Sequence, residues 1–194
     1  MTERTEPPRP RRADVADGYD RGAQAYEALW SPVILPPAAA LVRFLGLTGR
    51  CVVADVGAGT GALLGAIRSA APTARVVSFD ASAGMLRIAR TQRGAQAVVA
   101  DALALPLAEA AADAVILAYV LFHLADPSLA VAEAARVLRP GGRVGAITWA
   151  WERVSRAEVV WDQALVMVPI RPPGRSTRAA SATASDGSAR WNST

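Results

Sequence analysis

From Val52 to Trp149 the chain alternates short apolar runs with longer stretches of helical period. The runs V-V-A-D-V (52–56), R-V-V-S-F (75–79), A-V-V-A (97–100), D-A-V-I-L-A-Y-V (113–120) and R-V-G-A-I-T-W (143–149) predict five strands. Most are apolar on successive residues, as strands buried on both faces of a parallel sheet are. Ala62 to Ser69 reads as a helix after the first run. Ser82 caps the next, whose Met85, Leu86, Ile88 and Ala89 form an inward face. Asp126 and Pro127, a cap and a first-turn proline, open the helix that follows the fourth run, and Pro140-Gly141-Gly142 stops it. Pro106 keeps the link between the third and fourth runs from being a helix. Five strands alternating with helices predict an α/β fold built on a doubly wound parallel sheet.

Two helices are expected ahead of the sheet. The first begins at Ala13, carries Val15, Tyr19, Tyr26 and Trp30 on one face, is weakened by Gly18 and Gly22, and ends at Pro32. The second runs from Ala38 to Leu47, with Pro36 and Pro37 in its first turn. Residues 1–12 are rich in proline and charge and predict a disordered arm. After Ile170 the only large apolar residue is Trp191, so 167–194 predict a disordered tail and 13–166 the folded domain.

The 194 residues suffice for one domain with a substantial core, and 52% are hydrophobic. No apolar run approaches the roughly 18 residues of a membrane span, and the amino end lacks the apolar segment of a signal peptide, so a cytoplasmic location is expected. The lone cysteine, Cys51, excludes an internal disulfide. All 21 basic residues are arginine. The net charge of +4 divides as +2 on residues 1–12, −1 on 13–165 and +3 on 166–194. Arginines on the flanks rather than the folded part make no nucleic-acid face, so no specific nucleic-acid partner and no membrane partner are expected.

Candidate chemistry gathers where the strands end. Gly57, Gly59 and Gly61 follow the first strand and form a turn on which a ligand can lie against backbone, beside a helix start. The G-x-G-x-x-A reading through Gly57, Gly59 and Ala62 also admits a dinucleotide. Asp55, two residues before the first glycine, would sit badly beside a pyrophosphate and well beside a cation. Asp80 and Asp101 close the second and third strands. In open parallel sheets ligands bind beyond the carboxyl ends of strands, and three acids on consecutive strands are more than turn formers need.

These segments resemble a known family. D-V-G-A-G-T-G (55–61), F-D-A-S (79–82) with Met85, A-D-A (100–102) before L-P-L, D-A-V-I-L-A-Y-V-L-F-H-L-A-D-P (113–127) and L-R-P-G-G-R (138–143) are similar, in order and spacing, to class I S-adenosylmethionine-dependent methyltransferases. The likeness is to the small-molecule type related to ubiquinone and menaquinone biosynthesis enzymes. It implies a Rossmann-like fold, S-adenosylmethionine as cofactor and a small-molecule methyl acceptor. It also implies that Asp55 and the backbone of Gly57, Ala58, Gly59 and Gly61 hold the methionine end. Asp80 would take the ribose, Ala81 and Met85 would flank the adenine, and Asp101 with Ala102 would reach its amino edge. The backbone around Leu117 would meet the cofactor's amino group, with Tyr19 or Tyr26 closing over it.

The direct displacement this implies needs no protein nucleophile. One His and one Cys form no usual metal cluster, so no metal is expected. His123, the single histidine, could act as general base, or pack near Leu121, Phe122 and Leu124 and bond a backbone carbonyl. The resemblance also implies a final antiparallel strand pair that this sequence lacks, so the chain reads as truncated at its carboxyl end. The fifth strand would then expose an edge open to self-association. A non-catalytic or defective cofactor-binding remnant is therefore one alternative. A nicotinamide-dependent oxidoreductase is another, though a Tyr-x-x-x-Lys pair is impossible without lysine.

Overall fold

The computed structural model describes residues 12–149. The expected arm and tail, the carboxyl-terminal boundary of the domain and the expected lack of a last strand pair all lie outside the described residues. Helices α1 (Arg12–Leu29) and α2 (Ser31–Leu45) precede the sheet. Then come β1 (Val52–Val56), α3 (Leu64–Ala70), β2 (Arg75–Asp80), α4 (Ala83–Arg93), β3 (Gln96–Val99), β4 (Ala112–Ala118), α5 (Pro127–Val137) and β5 (Leu138–Ile147).

The five strands lie in the order β3-β2-β1-β4-β5, every pair parallel. Val53 pairs with Val76 on one side and Ala114 on the other, so β1 is central and its β-branched residues are covered on both faces. One face buries Val53, Ala114 and Ile116 under Val42 and Leu45 of α2 and Leu64 and Ile67 of α3. The other buries Val56, Phe79, Val115 and Leu117 under Ala134 and Val137 of α5. Helices on both faces make the sheet doubly wound, as the apolar runs predict.

Ser82 caps α4, accepting from the Met85 amide at 3.1 Å, and Asp126 caps α5, accepting from the Ser128 amide at 2.9 Å. Other boundaries differ from expectation. Pro32 opens α2 instead of only ending α1, and Pro36 and Pro37 lie inside α2. Each ring removes one helical hydrogen bond, but both face solvent while Ala38, Val42 and Leu45 of the following turns are buried. Packing therefore outweighs two lost bonds. Helix α3 starts at Leu64 rather than Ala62, because the glycine turn takes two more residues. Leu138 already pairs with Ala112, and Pro140-Gly141-Gly142 forms a register shift within the β4–β5 pair rather than a plain stop.

Strand β4 ends at Ala118, not Val120. Tyr119 takes a left-handed backbone at φ +57° while its amide still donates to the Ile147 carbonyl at 2.7 Å. Among the described residues, no single helix is long and apolar enough to cross a membrane. The helices α1 and α2 meet at a bend of 79°. The bend leaves α1 over α4, where Ala23 packs with Met85 and Ile88.

Candidate functional site

The order 3-2-1-4-5 reverses between β1 and β4, so chains leave the sheet in opposite directions there and open a crevice. A cavity of about 540 Å³ occupies it, within the roughly 300–1,000 Å³ of small-molecule sites. Asp55, Gly57, Ala58 and Gly59 line it from β1 and its turn. Asp80, Ala81 and Met85 line it from β2 and α4, and Asp101 and Ala102 from beyond β3.

Two expected site residues are elsewhere. Leu117 is buried beneath the sheet with Val56 and Phe79, and the next residues, Ala118 and Tyr119, reach the cavity instead. A strand sends successive residues to opposite faces, so a shift of one position decides this. Gly61 is not a lining residue: at φ +75°, a Cβ on it would stand 3.0 Å from the Ala89 Cβ, so it lets the turn pack on α4. Gly57 has a similar restriction from the other side. At φ +72°, a Cβ there would lie 2.6 Å from the Val120 Cβ.

Within the glycine turn the amides are committed to the protein. Gly57 and Ala58 donate to the Phe79 carbonyl at 2.8 and 3.0 Å, and Gly61 donates to the Ala58 carbonyl at 2.9 Å. Gly59 donates to Asp80 Oδ2 at 2.8 Å, and Asp80 Oδ1 accepts from the Ser82 amide at 2.8 Å. A dinucleotide site presents such amides to pyrophosphate, and here four of them are already satisfied. The Ala81 backbone also favours the charged form of Asp80, and the carboxylate, with about four acceptor sites, keeps capacity for a ligand hydroxyl. Asp101 Oδ1 accepts from the Leu103 amide at 2.9 Å.

Asp55 is buried and its Oδ2 has no hydrogen-bond partner. Burial first, and the Asp80 charge second, push its carboxyl up to about 7. Asp80 is also raised, chiefly by burial, against the lowering effect of its backbone donors. Among the described residues, three carboxylates and no arginine line the cavity, which suits a ligand carrying positive charge. Because the folded state holds the Asp55 proton more tightly than the unfolded chain, its contribution to stability falls as pH rises from about 4 to about 7. Asp55→Asn should therefore raise the melting temperature clearly at pH 8 and hardly at pH 4. Equal shifts at the two pH values would show that the carboxyl titrates normally.

Tyr19 and Tyr26 of α1 close one side of the cavity, their rings edge-to-face at 5.5 Å. Burial pushes Tyr19 up to about 12 and Tyr26 well above the usual phenol range. His123, expected either as base or as a packed ring bonded to a carbonyl, lines the cavity with Nε2 3.0 Å from the Tyr19 hydroxyl. Burial lowers its pKa to about 4, so its imidazole is neutral near neutral pH.

Polar ties that hold α1 over the cavity have no sequence signal. Asp20 Oδ1 accepts from the Ser82 hydroxyl and from the Gly84 amide at 2.7 Å, adding a second cap to α4. Glu27 pairs with Arg93, which also donates to the Thr60 carbonyl at 3.0 Å. Ser31 donates to Glu27 at 2.9 Å and lies 3.1 Å from the Thr60 hydroxyl, tying the glycine turn to the α1–α2 bend. Partners 62 to 66 residues apart share no period that could reveal them.

Among the described residues no group of three or more His, Cys, Asp or Glu could hold a metal ion. Comparison with known proteins adds a family: one described as "Methyltransferase domain" matches residues 54–146. A malonyl-[acyl-carrier protein] O-methyltransferase of Methylococcus capsulatus is 38% identical over 112 residues, which are 55% of this chain and 40% of that protein. A demethylmenaquinone methyltransferase of Thermus thermophilus is 41% identical over 97 residues, which are 47% of this chain and 44% of that protein. The chain thus spans less than half the length of either relative. A crystal structure of a SAM-dependent methyltransferase from Aquifex aeolicus superposes with a TM-score of 0.57 at 22% identity. It covers 75% of this chain and 85% of that one, a likeness of fold.

Proposed function

We propose that the chain is a class I S-adenosylmethionine-dependent methyltransferase, a reading supported by the methyltransferase-domain match over residues 54–146, and that it transfers a methyl group from that cofactor to a small molecule by direct displacement. The observation that carries this reading is the charge of the cavity: among the described residues, three lining carboxylates, no lining arginine, and glycine-turn amides already spent within the protein. S-adenosylmethionine supplies a methyl group made electrophilic by a sulfonium. The unpartnered Asp55 Oδ2 is where a buried positive group gains most.

In this reading Asp55 with the Gly57, Ala58 and Gly59 backbone holds the methionine end. Asp80 accepts from the ribose hydroxyls while its other lone pairs stay on Gly59 and Ser82. Ala81 and Met85 flank the adenine, and Asp101 with Ala102 meets its amino edge. The Ala118–Tyr119 backbone takes the place expected for Leu117. Tyr19 and Tyr26 exclude water over the centre, which strengthens every charge interaction inside. Neutral His123 has an Nε2 that can accept an acceptor's proton once its contact with Tyr19 opens.

The acceptors named for the two relatives differ, so the acceptor is read from this chain's own cavity below. Calorimetry with S-adenosylmethionine, S-adenosylhomocysteine and NADH tests the cofactor. Both sulfur compounds should bind and NADH should not; tight NADH binding without S-adenosylmethionine binding overturns the reading. A cofactor-binding unit without turnover is the second reading, because the candidate base His123 has its Nε2 engaged with the Tyr19 hydroxyl. Methyl transfer to a panel of phenols, amines and thiols separates the two.

A further inference from the structure

The cavity is divided by chemistry along the sheet. Its three acids sit beyond β1, β2 and β3, whereas the residues beyond β4 are Ala118, Tyr119, Val120, His123 and Leu124. Opposite these, α2 contributes Ile34, Leu35 and Ala38. This second half has no charged lining residue among the described ones. Arg93, which bonds the lining residue Thr60, is engaged: it pairs with Glu27 and donates to the Thr60 carbonyl at 3.0 Å. A carboxylate or phosphate entering here would lose its hydration and gain no counter-charge. A cationic acceptor would lose its hydration in the same way and meet no carboxylate in this half.

Aromatic rings bound this half on two sides. Tyr19 and Tyr26 come from α1. Tyr119 comes from the turn after β4, its ring centroid 4.7 Å from that of Trp149, which in turn stands edge-on to Trp30 at 6.5 Å. The backbone under Tyr119 is costly, since a bulky residue at φ +57° is strained. Its neighbour Val120 lies so close to Gly57 that a Cβ there would stand 2.6 Å from the Val120 Cβ, so the chain passes directly over the glycine loop at this point. Glycine would meet that turn without strain, yet a tyrosine stands there, packed against the α2 side of the core and lining the cavity.

We propose that the half of the cavity beyond β4 takes an uncharged aromatic acceptor, and that Tyr119, backed by Trp149 and Trp30, is its specificity-determining wall. The proposal rests on the methyltransferase reading for the word acceptor, but the wall is testable without it. Offset or edge-on packing against Tyr119 favours flat rings over flexible aliphatic chains of equal area. Strain kept at a site-lining residue, where a permissive residue would relieve it, is what a functional constraint leaves behind.

The test uses the full chain and four probes of one shape class: 1-naphthol, 1-naphthoate, 1-naphthylmethylamine and the non-planar 1-decalol. Affinities are measured with and without saturating S-adenosylhomocysteine. In the loaded protein 1-naphthol should bind at least ten-fold more tightly than the carboxylate, the amine or the decalol. Tyr119→Gly, which relieves the backbone, should keep the melting temperature within a few degrees and lose at least five-fold in 1-naphthol affinity. Trp30→Ala, which removes the backing of the wall and no residue placed on the cofactor, should weaken 1-naphthol binding while S-adenosylhomocysteine affinity stays within two-fold, and Tyr119→Phe should bind 1-naphthol like the parent. Equal or tighter binding of the carboxylate, the amine or the decalol overturns the proposal. So does a folded Tyr119→Gly protein with unchanged naphthol affinity. Failure of S-adenosylhomocysteine to bind, with the naphthol preference retained in the free protein, would sink the methyltransferase reading and leave the aromatic wall standing.

Discussion

Gly57→Ala should destabilise the fold by about 2–5 kcal/mol and abolish tight cofactor binding. The left-handed backbone at φ +72° costs an L-residue ~1–2 kcal/mol. The added Cβ, 2.6 Å from the Val120 Cβ, forces one of two packed backbones to move, and overpacking of this kind costs about 1–3 kcal/mol more. Neither atom is the far end of a flexible side chain, so the contact cannot be relieved by rotation. Movement of the turn also displaces Ala58 and Gly59, whose amides fix its position against Phe79 and Asp80. Gly59→Ala is the internal control. It has the same backbone class, φ +55°, and open space around a new Cβ, so it should cost only the ~1–2 kcal/mol of backbone strain. Urea unfolding of both variants checks this. Equal losses would mean that the Val120 contact has no energetic weight.

Asp80→Ala should lower S-adenosylmethionine affinity by about 1.5–3 kcal/mol, the range for hydrogen bonds to a charged group. From its place at a strand end alone, the residue would be expected to matter little to the fold. The structure argues otherwise. The carboxylate is the acceptor for the Gly59 and Ser82 amides, joining the glycine turn to the start of α4. Leaving these donors unpaired costs about 1–3 kcal/mol each, offset in part by removing a carboxylate that burial already raises. A measurable fall in melting temperature is therefore expected together with the weaker binding. The variant should also bring the Asp55 titration down from about 7, because the Asp80 charge is its second cause after burial. A variant that binds and melts like the parent would remove Asp80 from both roles.

The strands and their order along the chain were legible because burial on both faces demands unbroken apolar runs, which are local in sequence. Asp126-Pro127 and Ser82 marked helix starts for the same reason: a cap acts within three residues of itself. The turn at Gly57 and Gly59, and acids at the ends of β1, β2 and β3, could also be placed from position alone. All of them except Gly61 and Leu117 came to line one cavity. Gly61 went elsewhere because α4 packs against it, a contact no local pattern gives, and Leu117 because strand alternation turns it to the buried face.

Long-range contacts decided the rest. Pro36 and Pro37 read as a helix start, but the burial of Ala38, Val42 and Leu45 against the sheet extended α2 through them. Y-V after β4 reads as more strand, yet the backbone turns left-handed at Tyr119 and Val120 comes to lie close against Gly57. Asp20 on Ser82, Glu27 on Arg93 and Tyr19 on His123 join side chains 62 to 104 residues apart. The sequence by itself determined which elements form and which strand ends carry charge, because period, capping and turn chemistry act over a few residues. Only the tertiary structure decided which lone pairs stay open, which amides are spent and which rings face the cavity. Those depend on where packing brings distant segments, and no local pattern encodes that.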